Sequence, residues 1–180
     1  MTAKQVESDK NREKAGRFTK RMQFLKDRPV LLGILLVTNK VFTGILFAGY
    51  PVLLLWLYRF LPQLLLRAIL VPLDSFIVLS AFRLLVDRRR PYEVYETAPA
   101  IDKKTKGKSF PSRHVFSAVV IALTALFLLP NPIAGIVGLV LAAGIAAVRV
   151  TTGVHFMSDV LFGVAFAAFS AWIGYIIYPW

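Results

Sequence analysis

The chain contains no cysteine, which excludes disulfides, thiolate nucleophiles and cysteine-bound metals. Charge is scarce as well: 18% of the 180 residues are charged and 57% are hydrophobic, with a mean hydropathy of +0.63. Such a composition excludes an ordinary soluble domain and fits an integral membrane protein. Acids number only ten against 22 Lys and Arg, and the resulting +12 lies outside the apolar runs. It favours anionic partners, which for a membrane protein are lipid headgroups and not nucleic acid. Histidine occurs twice, as His114 and His155, each at the water-facing end of a long apolar run. An imidazole placed there offers an acid, a base or a nucleophile at a membrane surface.

Residues 1–28 are polar and mixed in charge, without the apolar core of a signal peptide, and read as a solvated basic tail of at most weak helicity. A helix needs about 20 apolar residues to cross a hydrocarbon core of about 30 Å. Five segments qualify: 41–60, 67–86, 115–129, 133–150 and 156–178. Pro130, Asn131 and Pro132 make the third and fourth a tight hairpin. Residues 29–40 are apolar but short and read as an interfacial or half-inserted helix; if they cross, the spans number six. The expected fold is therefore an all-α membrane bundle of five to six transmembrane helices, with an N-terminal interfacial segment, in one domain over 29–180. Alternation of spans brings residues 83–91, 111–114 and 149–159 to one face. The other face collects Trp56, Tyr58, Tyr175, Tyr178 and Trp180, amphipathic rings expected at an interface. Asp74, inside the second span, is expected to face the bundle interior through a structural hydrogen bond.

Three clusters on the first face carry chemistry. Arg83 and Arg90, with Arg88 and Arg89 between, present planar forks that match phosphate oxygens in pairs. Taken alone they also fit headgroup anchors flanking a span. Pro111, Ser112, Arg113 and His114 precede the third span, where a serine N-cap and free backbone donors form an anion site. There His114 either exchanges a proton near neutrality or merely caps the helix. Arg149, His155 and Asp159 form the third cluster, with His155 and Asp159 four apart, so that the carboxylate can orient the imidazole on one helical face. Asp159 is the only acid after Asp102, and a charge in an apolar span is costly unless paired or functional. Zinc would need His114 as a third ligand beside His155 and Asp159, in a neighbourhood of arginines that repels a cation. The 92–110 loop carries Glu93, Glu96 and Asp102, then Lys103, Lys104, Lys106 and Lys108. It reads either as a headgroup-attracting mouth or as an ordinary solvated loop.

In order and spacing, Arg83, Arg90 and Pro91, then Pro111, Ser112, Arg113 and His114, then Arg149, His155 and Asp159 resemble the K-x6-R-P, P-S-G-H and S-R-x5-H-x3-D signature of the type 2 phosphatidic acid phosphatase superfamily. The resemblance covers the chain from about Arg67 onward. It departs at three positions, with Arg83 for lysine, Arg113 for glycine and Val148 for serine. The first keeps the charge. The second adds a cation that either assists headgroup binding or points into solvent, leaving its backbone N–H to serve. The third removes a hydroxyl.

The resemblance implies a metal-independent, cofactor-free lipid phosphatase. In it His155 attacks phosphorus, Asp159 holds the ring, and His114 protonates the leaving alkoxide and then activates water. Arg83, Arg90, Arg149, Ser112 and Arg113 would bind the phosphate. Phosphatidylglycerol phosphate, phosphatidic acid and undecaprenyl diphosphate all fit as substrates. A phosphotransferase using the same site, or a lipid-binding or transport bundle without chemistry, are the alternatives. The resemblance also implies the extracytoplasmic face of a bacterial plasma membrane, whereas the lysines of the 92–110 loop would by the positive-inside rule put that face in the cytoplasm.

Overall fold

The computed structural model describes residues 3–101 and 105–177, and every regular element among them is helical. In chain order these are α1 (Ala3–Lys26), α2 (Pro29–Phe60), α3 (Pro62–Val86), the single turn α4 (Pro91–Val94), α5 (Arg113–Leu128), α6 (Ile133–Thr151) and α7 (Met157–Trp172). A π-helical turn, Ile173–Ile177, extends α7. Prolines set the boundaries. Pro29 and Pro62 begin α2 and α3, where the missing N–H is one the first turn leaves unbonded anyway. Asn131 accepts the Ile133 N–H through Oδ1 at 2.9 Å and closes the α5–α6 hairpin.

Four helices are long and apolar enough to cross a membrane: α2, α3, α6 and α7 with its π turn. The fifth expected span, α5, has 16 residues, about 24 Å of helix. It is the central helix, packed by α2, α3, α6 and α7, and Val115, Phe116, Ala118, Val119, Val120 and Ala122 on it are buried. A helix enclosed by others need not match the lipid thickness. Residues 29–40 do not form a separate interfacial helix, and no sixth crossing arises. They run without a break into 41–60 as the 32-residue α2, because nothing between Pro29 and Pro51 interrupts the ladder.

Two local devices fix the bundle. Pro72 lies inside α3 and has no N–H to give the Ala68 carbonyl four residues back; the Tyr50 hydroxyl of α2 donates to that carbonyl instead, at 2.8 Å. Gly135 lets α6 approach α5 so closely that a Cβ there would stand 2.4 Å from Leu126 Cα. Asp74, expected inside, is exposed on the outward side of α3. The inward stripe is Ala68, Val71, Pro72, Ser75, Leu79 and Arg83, and Asp74 falls off its helical period.

The polar tail is also more than a solvated arm. Phe18, Met22 and Leu25, at helical spacing on α1, are buried against Leu32, Leu35, Tyr92, Tyr95 and Ala100. Thr19 and Thr97 hydroxyls meet at 2.8 Å, and Lys26 Nζ donates to the Ala98 carbonyl at 3.1 Å. At the far end of the bundle, Trp56 on α2 and Tyr175 in the π turn belong to one apolar cluster while Tyr58 on α2 is exposed, and Tyr175 shares a 2.8 Å hydrogen bond with Thr124. Tyr178 and Trp180 lie outside the described residues, as do Asp102, Lys103 and Lys104.

Replacing Tyr50 by Phe leaves the Ala68 carbonyl without its donor while keeping the ring. Thermal unfolding in detergent should report a loss of about 1 kcal/mol; an unchanged melting temperature would show that the carbonyl finds another partner.

Candidate active site

The ends of α3, α5, α6 and α7 meet on one face, and hydrogen bonds between the three sequence clusters hold them there. Arg83 Nη1 donates to the Pro111 carbonyl at 2.6 Å. The Ser112 N–H donates to the Asp159 carbonyl at 3.0 Å. Arg90 Nη1 donates to the Val154 carbonyl at 3.3 Å, and its Nε to the Gly107 carbonyl at 3.0 Å. Phe82, Phe110 and Phe162 pack together beside this junction, with ring centroids 4.6 to 6.1 Å apart. On α7, Gly163 lets the chain pass the start of α5; a Cβ there would stand 3.1 Å from the Ser112 carbonyl oxygen.

His155 belongs to the α6–α7 turn, two residues before α7 begins, not to its first turn. The N–H groups of Val154 and His155 both bond the Arg149 carbonyl, at 3.1 and 3.2 Å, so the turn wraps back onto its own arginine. The turn needs Gly153 at φ +76°, and α1 seals it from outside: a Cβ on Gly153 would meet Phe18 and Met22 within 3 Å. His155 Nδ1 lies 3.5 Å from Asp159 Oδ2. Asp159, in the first turn of α7, also accepts the Phe156 N–H through Oδ2 at 2.9 Å.

Two residues that the sequence did not single out complete this arrangement. Ser109 Oγ donates to Asp159 Oδ2 at 2.5 Å and stands 3.5 Å from His155 Nδ1. Arg88 Nη1 donates to the other oxygen, Asp159 Oδ1, at 2.8 Å, and to Ser158 Oγ at 2.8 Å. The 87–110 loop folds to deliver them. Glu93 receives the N–H groups of Arg90 and Gly107, Asp87 receives that of Lys108, and the Ser109 N–H reaches the Arg88 carbonyl. Lys106 and Lys108 are exposed on that loop.

Of the expected site residues, the fold buries six together: Asp159 and Ser112 at 0% exposure, Arg90 at 2%, His155 at 3%, Arg83 at 7% and Arg149 at 8%. Arg113 and His114 are on the first turn of α5 and exposed. Ser112 Oγ and Arg149 Nε are buried without a hydrogen-bond partner among the described residues. Buried donors are rarely left unbonded, and these two belong to the same buried group as Arg83 and Arg90, which could hold an anion. No group of three His, Asp or Glu capable of holding a metal occurs among the described residues. Burial pushes the His155 imidazole down from 6.5 to about 4; Arg90 and Arg149 push the same way, and Asp159 opposes them. At neutral pH the ring is uncharged. With Nδ1 turned to Asp159, the Nε2 lone pair is left to act as a nucleophile.

A family model for the PAP2 superfamily matches residues 64–180. The chain belongs to the PAP2 superfamily. Membership brings the enzyme class, a membrane lipid phosphatase and hence a phosphoric monoester hydrolase. Among the solved structures that share the fold are two. One is LpxE of Aquifex aeolicus, with a TM-score of 0.66 and 21% identity over 85% of this chain and 91% of that one. The other is a transmembrane PAP2-type phosphatidylglycerolphosphate phosphatase of Bacillus subtilis, with a TM-score of 0.55 and 21% identity over 94% of this chain and 84% of that one. No curated protein matches the chain. The PAP2 match leaves out α1 and α2, although α1 covers the turn that carries His155.

Two histidines make the titration simple to read by NMR of ring-15N-labelled protein, with His114→Gln assigning the pair. His155 should stay neutral to near pH 4. Because the unfolded chain takes that proton near 6.5 and the folded one only near 4, stability should fall as pH drops through this window. In Arg88→Ala, Asp159 loses a neutralising cation, so the His155 titration should move upward while turnover falls about tenfold, or about 1.4 kcal/mol in barrier. An unmoved His155 titration in that variant would mean that Arg88 does not act through Asp159.

Proposed function

We propose that this membrane phosphatase hydrolyses a lipid phosphate monoester or a polyprenyl diphosphate through a phosphohistidine on His155. Phosphatidylglycerol phosphate, phosphatidic acid and undecaprenyl diphosphate are the substrates that fit. The observation that carries the reading is the neutral, Asp159-held imidazole of His155 beside two buried unpartnered donors, Ser112 Oγ and Arg149 Nε, and the buried guanidinium groups of Arg83 and Arg90. The fold shared with a phosphatidylglycerolphosphate phosphatase supports that substrate class.

In the first step the Nε2 lone pair forms the P–N bond as the P–O bond to the lipid breaks. The departing alkoxide takes a proton from His114. Arg83, Arg90 and Arg149, with Ser112 and the backbone N–H groups that open α5, bind the equatorial oxygens, where phosphoryl transfer is chiefly an electrostatic problem. In the second step His114 removes a proton from water, the hydroxide forms the new P–O bond, and the P–N bond breaks to return neutral His155. Asp159 carries no bond change; it fixes the ring and stabilises the positive charge that develops on it. Arg113, exposed at the start of α5, would meet the headgroup beyond the scissile phosphate.

The test is phosphate release from a panel of purified lipid phosphates by wild type and by His155→Ala. Loss of at least about 10³-fold in turnover with retained folding is expected. Undiminished release by His155→Ala would contradict the covalent route. Equal loss of lipid binding and turnover would favour a binding bundle. Run in right-side-out and inverted bacterial vesicles with a soluble substrate, the same assay reads orientation, for which we propose an extracytoplasmic site: release should come from right-side-out vesicles.

A further inference from the structure

A groove of about 930 Å³ lies between the N-terminal half of α1 and the segment that follows α3. Arg12 and Lys14 form its α1 wall, with Ser8 and Asn11 as further polar groups; Arg88 and Arg89 form the opposite wall; Tyr95 and Phe156 face it with rings. Glu7 is the one acid on its lining. None of Arg12, Lys14 and Arg89 is ion-paired among the described residues. The groove is built, since the buried half of α1 is pinned by Phe18, Met22 and the Thr19–Thr97 bond.

This space is not the phosphate pocket. None of Arg83, Ser112, Arg149 and His155 lines it. It lies behind the His155–Asp159 pair, on the side of Asp159 Oδ1 and away from the imidazole, which faces Oδ2. What the two spaces share is Arg88. Its guanidinium stacks on Phe156 at 4.5 Å and bonds Asp159 Oδ1, and the side chain, 38% exposed, lines the groove.

We propose that the groove is a second anion site, for the phosphodiester of a headgroup that is not being hydrolysed, and that its occupant acts on the reaction by competing with Asp159 for Arg88. The proposal rests on the phosphatase reading for its effect on turnover, but not for binding. A phosphodiester suits the lining because guanidinium and ammonium groups from two elements can share its oxygens, while the glycerol carbons lie on the Tyr95 and Phe156 rings. The diester is not itself a phosphomonoester substrate. Its source is either an anionic lipid of the surrounding leaflet or a soluble headgroup ester.

The test uses full-length protein in phosphatidylcholine nanodiscs, titrated with soluble glycerophosphoglycerol or reconstituted with phosphatidylglycerol. Binding is read from the fluorescence of Tyr95→Trp, and turnover from a water-soluble phosphomonoester. We expect a saturable fluorescence change and a turnover change of about fivefold. Both should vanish in Arg12→Glu/Lys14→Glu and persist in Lys10→Glu/Lys20→Glu, which carries the same charge change off the groove. Basal turnover in neutral discs should stay within about twofold in both double variants, as neither touches the catalytic cluster. A response to the soluble ester identifies a free ligand; a response to the lipid alone identifies the membrane. No fluorescence change, or an equal response in both double variants, overturns the site. Binding with unaltered turnover overturns the link through Arg88. Absence of turnover under every condition, with the fluorescence change intact, sinks the phosphatase reading and leaves the site standing.

Discussion

The structure of the active end depends on one buried carboxylate. Asp159 is fully enclosed, and a bare carboxylate there would be far too costly to keep charged. It is kept by donors from each of the three sequence clusters: Arg88 from the first, Ser109 from the approach to the second, and the Phe156 N–H from the third. Its backbone carbonyl takes the Ser112 N–H as well. His155 is then oriented by a group that cannot move without breaking contacts to the 87–110 loop and to the residues that open α5 and α7. A side chain that merely hydrogen-bonded a histidine would not have this reach.

Around that anchor the balance of charge is deliberately lopsided. Arg83, Arg90 and Arg149 are buried in the cluster, yet the acid within it, Asp159, is engaged with Arg88, Ser109 and His155. Arg83 and Arg90 spend part of their hydrogen-bonding capacity on the carbonyls of Pro111, Val154 and Gly107. Those bonds hold the planes of the guanidinium groups without cancelling their charge. A site of this kind is weakly compensated when empty and well compensated when a phosphoryl group arrives, which is the condition for preorganised electrostatic catalysis. Burial, with Arg90 and Arg149 adding to it, lowers the basicity of His155 and keeps its ring unprotonated near neutral pH.

The sequence makes much of this legible, because the strongest signals are local. Proline at a helix start and the spacing of His155 to Asp159 need only neighbours along the chain. Convergence of residues 83–91, 111–114 and 149–159 follows from counting spans. Other features depend on contacts between distant segments and left no readable mark. Arg88 is one of three consecutive arginines, and nothing in that run says which one reaches Asp159. Ser109 lies at the end of a loop with no periodicity. The spacing of Phe18, Met22 and Leu25 was a faint amphipathic signal, overwhelmed by the charges between them. The cost of a charge inside a membrane span points Asp74 inward, while the period of the buried residues on α3 places it outward. The inward stripe could have been counted from the sequence.

The central claim is that His155 takes the phosphoryl group. It is tested most directly by rapid acid-free quenching during turnover of a 32P-labelled lipid phosphate. The account predicts label that is stable to base, labile to acid and carried by the peptide containing His155. Continued turnover with no protein-bound label, or label on any other residue, would contradict it.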